Sequence, residues 1–210
     1  MKLHHPPGRS GRLWLEHRLA VATRGHELLE EKRHALAAEE RRLRVLAEET
    51  RARWTSCSLE AERWLVRAVV LAGEHQVALL ATQVERRASA ELSWRGWMGV
   101  SYPAEARADL PPPPPAFPVG GTAAMDLAVR AVGPAVEAAV EHAAAAAALE
   151  RVTEELLMTI RRVRVIERRW IPTVEATLHD LRLRLDEAER EDAVRARWVQ
   201  RRITAREAKR

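Results

Sequence analysis

Apolar residues return every seven positions near the start of the chain. Leu15, Ala22, Leu29, Leu36 and Leu43 form one row on a helix at the coiled-coil period. The neighbouring row is apolar only at Leu19 and continues with His26, Arg33 and Glu40. One apolar row beside a polar one predicts a narrow contact with a single partner helix, leaving much of the surface to other partners. The pattern sets a first helix over residues 9–54. The Trp54-Thr55-Ser56-Cys57-Ser58 joint predicts a bend, because Ser and Thr favour caps over helix interiors. A second helical stretch follows from Leu59 to about Ala90, carried by Trp64, Leu65, Val69, Leu79 and Leu80.

From Ser93 to Thr122 the helical pattern stops. Trp94, Trp97, Val100 and Tyr102 alternate with small or polar residues among Gly96, Gly99 and Pro103, a strand or hairpin signal. The prolines Pro111 to Pro115 lack amide donors and predict an extended, semi-rigid connector. Residues 55–122 therefore read as a middle region holding a helix, a possible hairpin and a proline-rich connector.

Residues 123–210 are almost continuously helical in pattern. Gly133-Pro134 predicts an interruption or kink, and the run Ala143 to Ala148 strongly favours helix. The seam reads Val163, Ile166, Trp170, Val174, Leu178, Leu181, Leu185, Ala188. Its three successive fours, from Ile166 to Leu178, are a stutter that relaxes supercoiling. Pro172 falls inside that stretch, so a helix bend is predicted there. The predicted fold is all-α: a long antiparallel two-helix coiled coil from the N- and C-terminal helices, with a small irregular or β-hairpin middle. A helix from Ala123 to Arg206 would span on the order of 120 Å, so it must fold back or reach out.

Composition fits this picture. Among 210 residues, 31% are charged and only 4% aromatic. The dominant Ala, Leu, Glu and Arg are typical of long helices rather than of a compact enzyme. The net charge of +5 is mild and mixed with acids, which favours a solvated helix surface over a nucleic-acid groove. Residues 195–210 are the exception, with seven basic side chains against Glu207, a net +6. Interleaved base-stacking aromatics are missing from that tail, so a protein partner is preferred to nucleic acid. The single Cys57 provides no disulfide framework. The start of the chain lacks a signal-peptide stretch, and no segment approaches the roughly 20 apolar residues that span a bilayer. A cytoplasmic protein without membrane insertion is expected.

No catalytic, cofactor or metal motif is legible. None of the three lysines follows a phosphate-binding glycine loop, and the eight histidines include no His-Glu-x-x-His pair. The adjacent carboxylates Glu30-Glu31, Glu39-Glu40 and Glu48-Glu49 stand beside arginines, as on ion-paired helix faces. The expectation is a non-enzyme with no cofactor.

Two terminal segments carry a family resemblance. The first is Pro7-Gly8-Arg9 followed by Arg24-Gly25-His26-Glu27-Leu28-Leu29-Glu30-Glu31-Lys32-Arg33-His34-Ala35-Leu36. The second is Arg161-Arg162-Val163-Arg164-Val165-Ile166-Glu167, then Ile171-Pro172 and Glu189-Arg190-Glu191-Asp192. Together they resemble the D subunits, the central-shaft family of V/A-type rotary ATPases. The resemblance implies a left-handed antiparallel coiled coil inserted into a ring of alternating catalytic and regulatory subunits. It further implies a small companion stalk subunit and a funnel-shaped subunit above the membrane rotor ring as partners. The whole would be peripheral to the membrane, with ATP bound by the ring and not by the shaft. Arg24, Lys32, Arg33, Arg161, Arg162, Arg168 and Arg169 are then expected among the outward partner contacts. A free-standing coiled-coil scaffold or adaptor would explain the heptads but not the paired motifs. A basic helical nucleic-acid binder rests on charge alone.

Overall fold

The computed structural model describes residues 3–82, 86–112 and 122–207. In order along the chain come α1 (Gly8–Ala72), α2 (Glu74–Thr82), β1 (Ser89–Trp97), β2 (Val100–Asp109), α3 (Ala123–Val165), a π-helical turn (Ile166–Trp170) and α4 (Ile171–Glu207). The fold is mostly helical: N- and C-terminal helices pack together, and a β-hairpin lies between them in sequence. Within the proline run Pro113, Pro114 and Pro115 lie outside the described residues, as do Lys209 and Arg210 of the basic tail.

The helical hydrogen bonding continues through both places where the sequence suggested a bend or an interruption. Helix α1 runs unbroken through Trp54 to Ser58. Thr55 is accommodated because its hydroxyl donates to the Arg51 carbonyl four residues back, at 2.8 Å. The helix ends instead at Gly73, whose φ of +85° is open to glycine at little cost. Its N–H still donates to Val69 O at 2.9 Å, and the chain turns through 114° into α2. Likewise α3 continues through Gly133 and Pro134. It is capped by Thr122, whose carbonyl and hydroxyl oxygens both accept from the Met125 N–H.

The chain forms two compact units, Met1–Arg33 with Met158–Arg210, and His34–Leu157. In the first, the start of α1 lies antiparallel to α4, as two ion pairs show: Arg9 with Glu189 and Glu16 with Arg182, both at 2.7 Å. Its core is Leu15, Val174, Leu178 and Leu181, all buried, flanked by Trp14, Leu19, Trp170 and Leu185. Gly11 is required here, since a Cβ would run into the Pro6 carbonyl.

In the second unit α1 is antiparallel to α3. Arg53 pairs with Glu141 at 2.6 Å, and the Trp54 and His142 rings stack at 5.3 Å. The shared face is rich in small side chains, Ala47, Ala61 and Ala68 on α1 and Ala138, Ala145 and Ala148 on α3, all buried. Alanine contributes little apolar area per residue, so larger side chains anchor each end of the contact. One cluster combines Leu36, Leu43, Val152 and the hairpin residues Val100 and Tyr102; the other combines Leu80, Met125 and the alanines around them.

The hairpin turns at Met98-Gly99, with φ of +49° and +79°. Two consecutive positive φ values make the tight turn whose twist suits paired strands. Its register runs from Trp97 opposite Val100 to Ser89 opposite Asp109, shifting by one between Ser93 and Trp94. Ala104 is the unopposed residue of that bulge.

Candidate functional site

The seam residues fall into both units. Leu15, Val174, Leu178 and Leu181 form one buried cluster with Leu185 packed against it. Leu36 and Leu43 belong to the core of the second unit. Ala22 and Leu29 are half-buried. Among the charged candidates, Arg24, Arg161, Arg162, Arg168 and Arg169 are exposed, whereas Lys32 and Arg33 are half-buried. Arg24 reaches Glu27 at 3.2 Å and Arg33 reaches Glu30 at 2.7 Å, both one helical turn away. Exposed pairs of this kind are worth only a few tenths of a kcal/mol.

Arg168 and Arg169 lie on the π turn, directly before Pro172. There the Ile171 N–H donates to the Ile166 carbonyl, five residues back rather than four. A turn closed over five residues takes in one extra residue. The seam from Val163 to Leu185 holds one residue more than strict alternation of threes and fours would place there. The π turn absorbs that surplus, so Val174, Leu178 and Leu181 return to the buried face. Pro172 contributes no N–H of its own. Just after it, Thr173 Oγ1 donates to the Arg169 carbonyl at 2.5 Å.

Two arrangements were not anticipated from the sequence. Arg18 sits over the Trp14 ring at 4.6 Å and over the Trp170 ring at 5.6 Å, tying α1 to the π turn by cation–π attraction. The i,i+4 spacing of Trp14 and Arg18 was visible, but Trp170 is remote in sequence. The second arrangement is a polar knot in the other unit. Tyr102, 1% exposed, donates its hydroxyl to Glu39 Oε1 at 2.7 Å, and Arg42 donates to the same carboxylate at 2.7 Å. The Arg42 hydrogen bond, helped by that from Tyr102, holds the Glu39 carboxyl below its ordinary range against the opposing effect of burial. Burial, then the hydrogen bond to Glu39, pushes the Tyr102 hydroxyl up. Glu40, next in sequence, is also buried and pairs with Arg44.

Among the described residues no group of three or more His, Cys, Asp or Glu side chains is placed to hold a metal ion. Nor is any single helix among them long and apolar enough to cross a membrane. A buried helix–helix seam, an outer surface of short-range ion pairs and a hairpin locked by one tyrosine define a protein of long paired helices carrying a β-hairpin.

The family model for the D subunit of ATP synthase matches residues 13–201. The A-type ATP synthase D subunit of Thermococcus kodakarensis is 32% identical over 208 residues, covering 97% of each chain. The A-type D subunit of Methanopyrus kandleri is 32% identical over 203 residues, 92% of this chain and 84% of its own. The V-type ATP synthase D subunit of Thermus thermophilus is 32% identical over 202 residues, 96% of this chain and 90% of its own. The chain belongs to the ATP synthase D-subunit family, the central-stalk subunits of V/A-type ATP synthases.

Proposed function

We propose that the chain is the non-catalytic rotor shaft of its complex, passing torque between a ring of catalytic and regulatory subunits and the ion-translocating rotor at the membrane. The observation that carries this reading is the family match, which spans both helical ends and the hairpin. A small companion stalk subunit and a funnel-shaped subunit above the rotor ring would complete the stalk. The chain would then work at the cytoplasmic face, peripheral to the membrane.

The physical chemistry supports that role. A shaft needs an internal seam strong enough to carry load, and the buried leucines and valines supply one. Its outer surface must not adhere to any single neighbour. Exposed Arg–Glu pairs one turn apart offer weak, exchangeable contacts. A shaft that touches each catalytic interface differently biases its open and closed states by differential contact energy. Torque is the reciprocal effect, in which ATP binding and hydrolysis shift the preferred shaft angle.

Purifying the native protein through a tag on this chain should recover two larger ATP-binding subunits in equal amounts. Their absence would overturn the proposal. Reversing the charge of Arg161 and Arg162 together should lower the coupled ATPase rate with the complex still assembled. An unchanged rate would remove these two residues from the contact surface.

A further inference from the structure

We propose that strand β1 is a docking edge for a second copy of this chain, the two copies pairing antiparallel about Ser93. A two-stranded sheet has two unpaired backbone edges, and such edges are templates for another strand. The outer edge of β2 is blunted by Pro103, which has no N–H, and by the bulge at Ala104. β1 has neither device. Its nine residues contain no proline and no lysine, and eight of them are exposed. Two of these are large and apolar, Leu92 and Trp94, with 49% and 54% of their surface open.

Charge selects the occupant. In β1 the order is Glu91-Leu92-Ser93-Trp94-Arg95, with opposite charges at equal distances from Ser93. An antiparallel copy centred on Ser93 sets Glu91 opposite the second copy's Arg95 and Arg95 opposite its Glu91. On the other face it sets Leu92 opposite Trp94, twice over. Cross-strand pairs of these two kinds stabilise sheets. Moving the centre by one residue either way leaves both charges facing uncharged side chains. Within the hairpin Glu91 already lies opposite Arg107, so pairing continues an alternating row of charge across the joined sheet.

The backbone phase agrees. A two-residue turn closes on a hydrogen-bonded pair, here Trp97 and Val100, and alternation then turns the amides and carbonyls of Leu92 and Trp94 outward. These are the groups the second copy would bond. Ser93 would face its counterpart in a non-hydrogen-bonded pair, with Cα atoms about 4.5 Å apart. That spacing is within disulfide reach. One strand edge is a small interface, so the pair is weak and concentration-dependent. It covers Leu92 and Trp94 on the unassembled chain.

The test uses the full chain carrying Cys57→Ser. Adding Ser93→Cys should give a disulfide-linked homodimer under mild oxidation, several-fold faster than Ser101→Cys, an exposed control on the blunted strand. Equal rates would overturn the proposal. So would capture of a different polypeptide by Ser93→Cys in place of the homodimer. Sedimentation of Glu91→Arg and of Arg95→Glu, each checked for folding by circular dichroism, should show monomers where the parent chain dimerises. An equimolar mixture of the two variants restores both charge pairs and should restore the dimer. A parent dimer indifferent to these changes would place the contact elsewhere and overturn the inference.

Discussion

The hydroxyl of Tyr102 on β2 meets the carboxylate of Glu39 on α1 at 2.7 Å, joining positions 63 residues apart. The ring lies in one buried cluster with Leu36, Leu43, Ala148 and Val152, so one side chain helps hold the hairpin to both long helices of its unit. Truncation to Ala should cost about 3–5 kcal/mol, as for other large core side chains. Tyr102→Phe keeps the ring and leaves Glu39 with Arg42, so it should cost only about 1–2 kcal/mol. Urea unfolding of the three chains measures the difference. Equal losses for Phe and Ala would mean that the hydrogen bond, and not the ring, fixes the hairpin.

The same pair makes stability depend on pH at both ends of the range. Glu39 is held below its ordinary value of 4.5, chiefly by the Arg42 hydrogen bond, so its contribution is present at neutral pH. It is lost as the pH falls below that ordinary value and through the depressed one. Tyr102 is pushed above its ordinary value of 10.0, first by burial and then by its hydrogen bond to Glu39. Its contribution is complete below pH 10 and disappears as the pH rises from there through the elevated value. Melting temperature against pH should therefore fall on both sides of a neutral plateau. Tyr102→Phe should flatten the alkaline limb and leave most of the acid limb to Glu39 and Arg42. An alkaline limb unchanged in the Phe variant would assign it to other groups.

Much of the helical pairing was legible because a seam repeats. Of the residues picked out by spacing, Leu15, Leu36, Leu43, Val174, Leu178 and Leu181 are buried, and Ala22, Leu29 and Leu185 are half-buried. Trp97 and Tyr102 likewise marked a hairpin. No helix break appears at Trp54–Ser58, where Thr55 satisfies its hydroxyl within the helix, a choice that propensity alone does not decide. Gly133-Pro134 does not interrupt α3: a proline weakens a helix locally, and the helix-favouring alanines around it carry the helix through. The contacts of Arg18 with Trp170 and of Tyr102 with Glu39 join residues remote in sequence. No local pattern encodes them.

Leu181 and Leu183 provide an internal comparison on α4. Leu181 is 6% exposed within the Leu15 cluster, while Leu183 is 55% exposed. Leu181→Ala should cost about 2–5 kcal/mol by removing buried methyl groups and leaving a cavity. Leu183→Ala should change stability by no more than about 0.5 kcal/mol. Thermal melts of the isolated chain read both. Equal effects would contradict the seam.

The π turn before Pro172 has two candidate causes, and a pair of variants separates them. If the proline forces the turn, Pro172→Ala should convert Ile166–Trp170 to ordinary α-helix. If the surplus residue in the seam forces it, the alanine variant must keep a wide turn, because Val163 and Val174 still have to face the same partner. The seam arithmetic favours the second cause. Pro172 is not at a free helix start, since α4 runs on from the π turn, but the preceding turn is already widened to five residues where the ring meets its carbonyls. We therefore expect Pro172→Ala to shift stability by about 1 kcal/mol or less and to retain the π turn. Deleting Glu167, which is exposed and lies within the turn, should remove the surplus. Its expected product is a continuous α-helix with Trp170 still packed in the Leu15 cluster. Crystal structures or backbone NMR shifts of the two variants distinguish the causes. A π turn lost in Pro172→Ala and kept in the Glu167 deletion would assign it to the proline.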